Sequence, residues 1–329
     1  MKNKIIQGDC LEVMKDISDN SIDLIINDPP YNIGKAKWDK IDNYIEWMGK
    51  VFKECERVLK DNGSFYFFHN DFLQIVELQN WINNNTKFIF KQLITWNKIH
   101  ENFRNFGYVQ HRLSINMMRN YYKGFTEYCL YYTFQDETGL SKISIKDNFL
   151  SISEKIRKYV ENNFSREYIH KLFLNEGRYS TELSARVHSA YKMGWGNGKR
   201  FDLMDEKLFY YLNEYLKFPF NYKDLKQEYE SLRYNFNVAI VKKDIRANSN
   251  VWLYPPSEKK GHITPKPVEL IENIIKHSSS ENDIILDCFI GSGTTAIACI
   301  NTNRFFIGIE KEQKYVDIAN KRIEEHNKL

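Results

Sequence analysis

The chain is short of cysteine and of long apolar runs, and each shortage narrows what it can be. Five cysteines stand among 329 residues, at positions 10, 55, 129, 288 and 299. They form no C-x-x-C pair and are odd in number, which argues against a disulfide framework or a zinc site; they read as reduced, buried small residues. No apolar stretch approaches the length of a membrane span. Met1-Lys2-Asn3-Lys4 leads straight into a strand-like segment, without the apolar core of a signal peptide. A cytoplasmic protein with no membrane partner is the expectation. A Gly-Lys-Ser/Thr phosphate loop is missing at the required spacing, which excludes the nucleotide-hydrolase type of glycine loop. No internal repeat is evident. Strong charge of one sign is missing too, since 47 Lys/Arg against 43 Asp/Glu leave only +4.

The remainder is ordinary for a globular protein, with 42% hydrophobic and 27% charged residues. Its length suffices for one large α/β domain plus an insert, or for two modest domains. The charge is unevenly spread: residues 141 to 250 carry 20 Lys/Arg against 14 Asp/Glu, and the rest 27 against 29. A basic middle is a weak pointer to a polyanion, and a solvated surface explains it as well.

Periodicity gives a coarse map. Ile5-Ile6-Gln7 reads as a strand, and Leu11, Met14 and Ile17 have helical spacing. The run from Ile22 to Ile26 has the length and β-branched content of a buried strand. Tyr44 to Leu59 repeats apolar residues on one helical face, and this helix is expected to end near Asn62-Gly63. Strand 64–68, helix 71–81 and strand-like runs at 88–96 and 127–134 follow. Strand and helix in alternation predict a doubly wound, largely parallel sheet. From about 135 to 250 the pattern turns helical, with candidates at 153–162, 166–175, 182–191, 205–216 and 223–234. The pair at 166–175 and 182–191 has helix-turn-helix spacing, although plain helical hairpins share it. Met193 to Arg200, with three glycines, Lys199 and Arg200, reads as a basic loop. Helix 268–277, strand 283–289 and a final helix at 317–325 complete the chain.

Two stretches carry chemistry. Asp28-Pro29-Pro30-Tyr31 stops the buried strand at once and combines a carboxylate, two carbonyls without N–H groups of their own, and a ring. A carboxylate and a proline carbonyl can each accept one hydrogen of an exocyclic amine, and Tyr31 can stack on a planar heterocycle. An ordinary turn after a strand explains the same residues without any ligand. The second stretch runs from Leu286 to Thr295. There Gly291 and Gly293 permit a tight turn close to a ligand, and Thr294 opens a helix. Glu310 lies 19 residues beyond Gly291, where a doubly wound fold places an acid for ribose hydroxyls. Nicotinamide cofactors use the same architecture, so the loop alone does not choose among ligands. Lys35 and Lys37, in the loop after Tyr31, could meet phosphate or merely be solvated.

Together these stretches resemble the S-adenosylmethionine-dependent amino-methyltransferases of DNA, in the group whose Asp-Pro-Pro-Tyr precedes the cofactor loop. Gly8-Asp9-Cys10, His262-Ile263-Thr264-Pro265-Lys266-Pro267 and Ile307-Gly308-Ile309-Glu310 add to the likeness. It covers roughly the first 135 residues and the last 75, not the middle. Three positions depart from the family's habit: Cys288 for proline, Asn27 for threonine or serine, and Ile263 for proline. The resemblance implies a seven-stranded methyltransferase sheet with a largely helical insert. The parts would be 1–135 for the target amine, 136–254 for target recognition and 255–329 for the cofactor.

By the same resemblance, Asp28, Pro29, Pro30 and Tyr31 are catalytic. Asp9, Cys10, Thr264, Lys266, Asp287, Phe289, Gly291, Gly293, Thr294 and Glu310 hold S-adenosylmethionine, and no metal is required. Asp9 also fits a helix cap and Pro267 a first helical turn, with no ligand involved. Lys35, Lys37, Lys199 and Arg200 would contact double-stranded DNA. N6-adenine methylation of a flipped base is the implied activity, because aspartate at the tetrapeptide's first position leans to adenine and serine to cytosine. N4-cytosine methylation uses the same machinery, and a catalytically inactive DNA-binding specificity module is the rival from another class. A homodimer and a companion restriction endonuclease are compatible with the resemblance.

Overall fold

A computed structural model describes residues 2–34, 39–98, 125–136, 142–144, 152–165, 167–169, 203, 206–235, 249–257 and 265–328. The chain divides into two compact units, one of residues 1–144 with 237–329 and one of residues 145–236.

The first unit is built on a sheet whose strands are β1 (Lys4–Gln7), β2 (Ile22–Asn27), β3 (Leu59–His69), β4 (Ile89–Asn97), β5 (Thr126–Thr133), β8 (Val251–Leu253), β9 (Ile284–Asp287) and β10 (Phe305–Glu310). Two short strands, β6 (Gln135–Asp136) and β7 (Ile143–Ser144), pair separately. The order across the large sheet is β1-β10-β9-β2-β3-β5-β4-β8. Among the described residues it therefore has eight strands, not the seven expected. Val251–Leu253 adds to the edge of β4. β5 alone runs against its neighbours β3 and β4; the other pairings are parallel. All six residues of β2 are buried, as its apolar run predicts.

Helices cover both faces, because alternate strand residues point to opposite sides. Ile25, Phe65, Phe67 and Leu286 pack under α1 (Cys10–Val13), α2 (Tyr44–Val58) and α3 (Phe72–Asn85). Leu24, Ile26, Tyr66, Phe68 and Ile285 pack under α7 (Val268–Ser278) and α8 (Thr294–Asn301). The last helix, α9, spans Gln313–His326 and is longer than its periodicity suggested.

Helix α2 ends at Val58, short of the expected Asn62-Gly63. Leu59 is extended (ψ 133°), fully buried and paired with Ile22. Sheet pairing thus outweighs the local glycine stop signal. The register then slips, so that Ser64 is the next partner, opposite Leu24. Lys60 pins the irregular stretch by donating to Asp23 at 2.6 Å.

The second unit contains α4 (Ile152–Asn163), α5 (Glu206–Leu216) and α6 (Tyr222–Asn235). It has a core of its own, from Ile156, Val160, Phe209, Leu212, Leu216, Phe218 and Leu225. The candidate helices at 182–191, the basic loop at 193–200 and nearly all of 166–175 lie outside the described residues.

Candidate active site

In a doubly wound sheet, ligands sit beyond the carboxyl ends of the strands where the order reverses. Here β2 and β9 are neighbours in the sheet's middle, and they carry the two motifs at matching ends: Asp28 follows β2, and Cys288 follows β9. β1 pairs with β10, which brings Gly8-Asp9-Cys10 beside Glu310. A cavity of about 460 Å³ opens at this edge, lined from both ends of the chain. Its lining includes six carboxylates (Asp9, Asp28, Asp39, Asp287, Glu310, Glu312) and three lysines (Lys40, Lys266, Lys311). An acidic, half-apolar cavity of that size suits a planar base joined to a cationic group.

At the β2 end, Asp28 keeps its side chain 28% exposed. The Tyr31 hydroxyl donates to Asp28 Oδ1 at 2.7 Å, and the Lys266 ammonium donates to Asp28 Oδ2 at 2.5 Å. Lys266 also donates to Tyr31 Oη at 3.1 Å and lies 3.2 Å from Glu127 Oε2. These contacts use all three protons of the ammonium. Burial opposes its charge, yet Asp28 and Glu127 together raise its pKa, so Lys266 is a cation. Burial likewise disfavours a charged Glu127, but Lys266 and Lys98 outweigh it and hold the carboxyl at about 2. Burial first, then Asp28 and Glu127, push the Tyr31 hydroxyl far up, so it remains a donor.

The tetrapeptide backbone is held separately. Tyr44 donates to the Pro30 carbonyl at 2.7 Å, and His69 Nε2 lies 3.1 Å from Tyr44 Oη. The Asp71 N–H donates to His69 Nδ1 at 3.1 Å, which fixes the proton on Nε2. Burial lowers the pKa of His69 to about 4, so the ring is neutral near pH 7. The ring of Tyr31 leans on that of His69, with centroids 4.9 Å apart. Asp39, buried, accepts from the N–H groups of Asn32 and Ile33 and closes the loop that follows.

At the β9 end, Asp287 accepts from Phe289 N–H at 2.9 Å and from the Thr295 hydroxyl at 2.6 Å. Burial raises its pKa to about 7. Glu310 accepts from the N–H groups of Gly291 (3.0 Å) and Glu312 (2.8 Å). Burial raises its pKa more than these bonds lower it. Gly291 (φ +52°) and Gly293 (φ +82°) are both left-handed. Gly291 lines the cavity and Gly293 does not. A Cβ at Gly293 would lie 3.0 Å from that of Ala319, so this glycine lets the loop pack on α9. Arg322 of α9 ties down the same loop by donating to Ser292 O and Thr294 Oγ1. Asp9 caps α1 through Leu11 N–H at 3.0 Å and lines the cavity as well. Cys10 also lines it. Trp47 and Phe289 face each other across 5.9 Å on its wall.

Thr264, Lys35, Lys37, Lys199 and Arg200 lie outside the described residues. Sequence reasoning missed Glu127, Lys98, Tyr44 and His69. Each ends or begins an element that reads as core, and only the sheet order brings them to the tetrapeptide.

Two of the three family departures answer each other. The N–H of Cys288, which a proline would lack, donates to Asn27 Oδ1 at 3.0 Å, and both residues are buried. Asn27→Ala should strand that N–H and cost about 1–3 kcal/mol. In a Cys288→Pro background, with no N–H to strand, the same change should cost much less. Denaturant melts of the four proteins decide, and strictly additive costs would refute the pairing.

Comparison with known proteins agrees with this geometry. Residues 22–321 match the N6_N4_Mtase family, described as DNA methylase. The type II methyltransferase M1.MboII of Moraxella bovis is 29% identical over 322 residues, 97% of this chain and 95% of the relative. The DNA adenine methyltransferase YhdJ of Escherichia coli K12 is 26% identical over 332 residues, 97% of this chain and 82% of the relative. In fold, the chain resembles the PvuII DNA methyltransferase (cytosine-N4-specific), with a TM-score of 0.53 at 13% identity over 99% of this chain and 90% of that one. Since the family match takes in the strand before the tetrapeptide, the glycine loop and everything between, the protein belongs to the N6_N4_Mtase family of DNA methylases, with S-adenosylmethionine as methyl donor.

Proposed function

We propose that the protein methylates the N6 amine of an adenine swung out of a short recognition sequence in double-stranded DNA. The observation that carries this reading is the Asp28 carboxylate at the cavity, partly exposed and fixed by Tyr31 and Lys266. An amine that is paired and stacked is out of reach, so the base must leave the helix. Asp28 accepts one amine hydrogen. Tyr44 already donates to the Pro30 carbonyl, and a proline carbonyl of the tetrapeptide accepts the second. Drawing both hydrogens from the ring plane frees the nitrogen lone pair from conjugation. S-adenosylmethionine, when bound, supplies a methyl group on a cationic sulfur. The acidic lining favours that cation, Gly291 admits the donor closely, Asp9 and Cys10 bound its base, and Glu310 takes ribose hydroxyls. Positioning and charge complementarity do most of the work.

Methylation at N4 of cytosine fits the same amine site, and the family embraces both. An aspartate at position 28 favours adenine. Methylation-sensitive sequencing of DNA from cells expressing the protein tests this. The expected result is methylated adenine in one short motif; methylated cytosine there would establish the alternative, and unmodified DNA would overturn both.

Residues 136–254 choose the sequence in this proposal, on the strength of the change in pattern and charge. Lys35 and Lys37 would steady the phosphates near the pocket. Lys199→Ala with Arg200→Ala should weaken DNA binding and flatten its salt dependence by about one unit of slope per lost phosphate contact. An unchanged slope in binding titrations would place the DNA surface elsewhere. Relatives named as type II methyltransferases suggest a companion endonuclease cutting the same sequence; light scattering tests a homodimer.

A further inference from the structure

Four charged side chains alternate in sign from a half-buried lysine to the cavity: Lys98, Glu127, Lys266 and Asp28. Glu127 and Lys266 are 5% and 6% exposed, and Asp28 and Lys266 both line the cavity. Glu127 can stand there because β5 is antiparallel. Its N-terminal end meets the carboxyl ends of its neighbours, with Glu127 opposite Trp96. The Glu127 carboxylate accepts from Lys98 and Lys266, and the Tyr31 hydroxyl lies 3.3 Å away.

An ammonium 2.5 Å from Asp28 has a cost for the chemistry assigned to that residue. Alone, it would cancel the negative potential that Asp28 offers to an amine gaining positive charge. In a desolvated cluster such cancellation is strong, because little water screens it. We infer that Glu127 is a positioning residue for methyl transfer, whose charge offsets Lys266 so that Asp28 presents a net negative potential to the reacting amine. Lys98 in turn moderates Glu127 and keeps the quartet neutral. This rests on the methyl-transfer reading above, and it assigns to the antiparallel strand a part in the reaction.

Charge and packing at position 127 separate in one pair of variants. Glu127→Gln keeps size and an acceptor oxygen but leaves the cluster at +1. Lys98→Met added to it restores neutrality. Single-turnover methylation should fall about tenfold to a hundredfold in Glu127→Gln, with DNA binding within about threefold of the parent. The double variant should recover part of that loss, because the positive potential of Lys98 is gone while Lys266 still faces Asp28. A second readout needs no turnover: calorimetric binding of S-adenosylhomocysteine, neutral at sulfur, and of a donor analogue carrying an ammonium where the methyl-sulfonium would be. Preference for the cationic analogue should drop several-fold in Glu127→Gln and return in part in the double variant. Should Glu127→Gln not fold, Lys98→Met replaces it in the comparison and should prefer the cation more than the double variant does. Unchanged preference, or losses that simply multiply in the double variant, would overturn the inference. A parent protein that shows the preference yet methylates no DNA would refute the functional reading instead.

Discussion

Asp28→Ala should cut single-turnover methylation by at least 10² to 10³ while leaving DNA binding near parental. The carboxylate's hydrogen bond to the amine strengthens as the nitrogen gains positive charge, so its loss falls on the transition state rather than on the bound substrate. The loss grows further if the flipped base is no longer held in line with the methyl group. Asp28→Asn separates this from a turn-capping role. Asparagine retains an acceptor oxygen for the Tyr31 hydroxyl, but it loses the charge that meets Lys266 and the amine. If Asp28 only capped its turn, the Asn variant would keep much of the activity. Single-turnover rates set beside equilibrium binding of the same duplex resolve the two. Near-parental turnover in both variants would remove Asp28 from the reaction.

The second large effect concerns folding. Lys266→Met should destabilise the protein by about 3 kcal/mol, because it removes the buried cation shared by Asp28 and Glu127 and leaves Glu127 with Lys98 alone. The effect should depend on pH in a direction that Glu127 fixes. Its carboxyl is held at about 2, against an ordinary 4.5, by Lys266 and Lys98 in spite of burial. A depressed pKa contributes stability above about 4.5, and that contribution is lost as the pH falls towards 2. The gap between parent and variant should therefore be full at neutral pH and narrow as the pH falls from about 4.5 towards 2. Chemical denaturation across that range measures it. A gap that stays constant with pH would mean that Lys266 stabilises through the rings of Phe68 and Trp96 rather than through the carboxylates.

How much was legible follows from the distance over which each signal acts. Strand β2 and the glycine loop announce themselves locally: a run of apolar residues, two prolines, two glycines with positive φ. So does most of α2, whose apolar face repeats at helical spacing. Its end was misplaced because the residue that stops it, Leu59, is claimed by Ile22, and pairing across the sheet leaves no local trace. The eighth strand escaped for the same reason, since three residues with alternating burial look like a connector until β4 is beside them.

The site divides along the same line. Asp28, Tyr31, Asp287 and Glu310 stand in recognisable strings. Glu127 and Lys98 do not, because their roles exist only once an antiparallel strand brings position 127 beside position 96. Lys266 was legible as a site residue by likeness to cofactor-binding segments, and the structure places its ammonium on Asp28. The proline that the family carries at position 288 and the asparagine found at 27 looked like unrelated departures. Their hydrogen bond makes them one change.

The most direct test of the whole account is nucleoside mass spectrometry of duplex DNA incubated with S-adenosylmethionine and either the parent protein or Asp28→Ala, both checked for folding. The account predicts N6-methyladenine in the first sample and almost none in the second. Equal methylation by both proteins, or none by the parent, would contradict it.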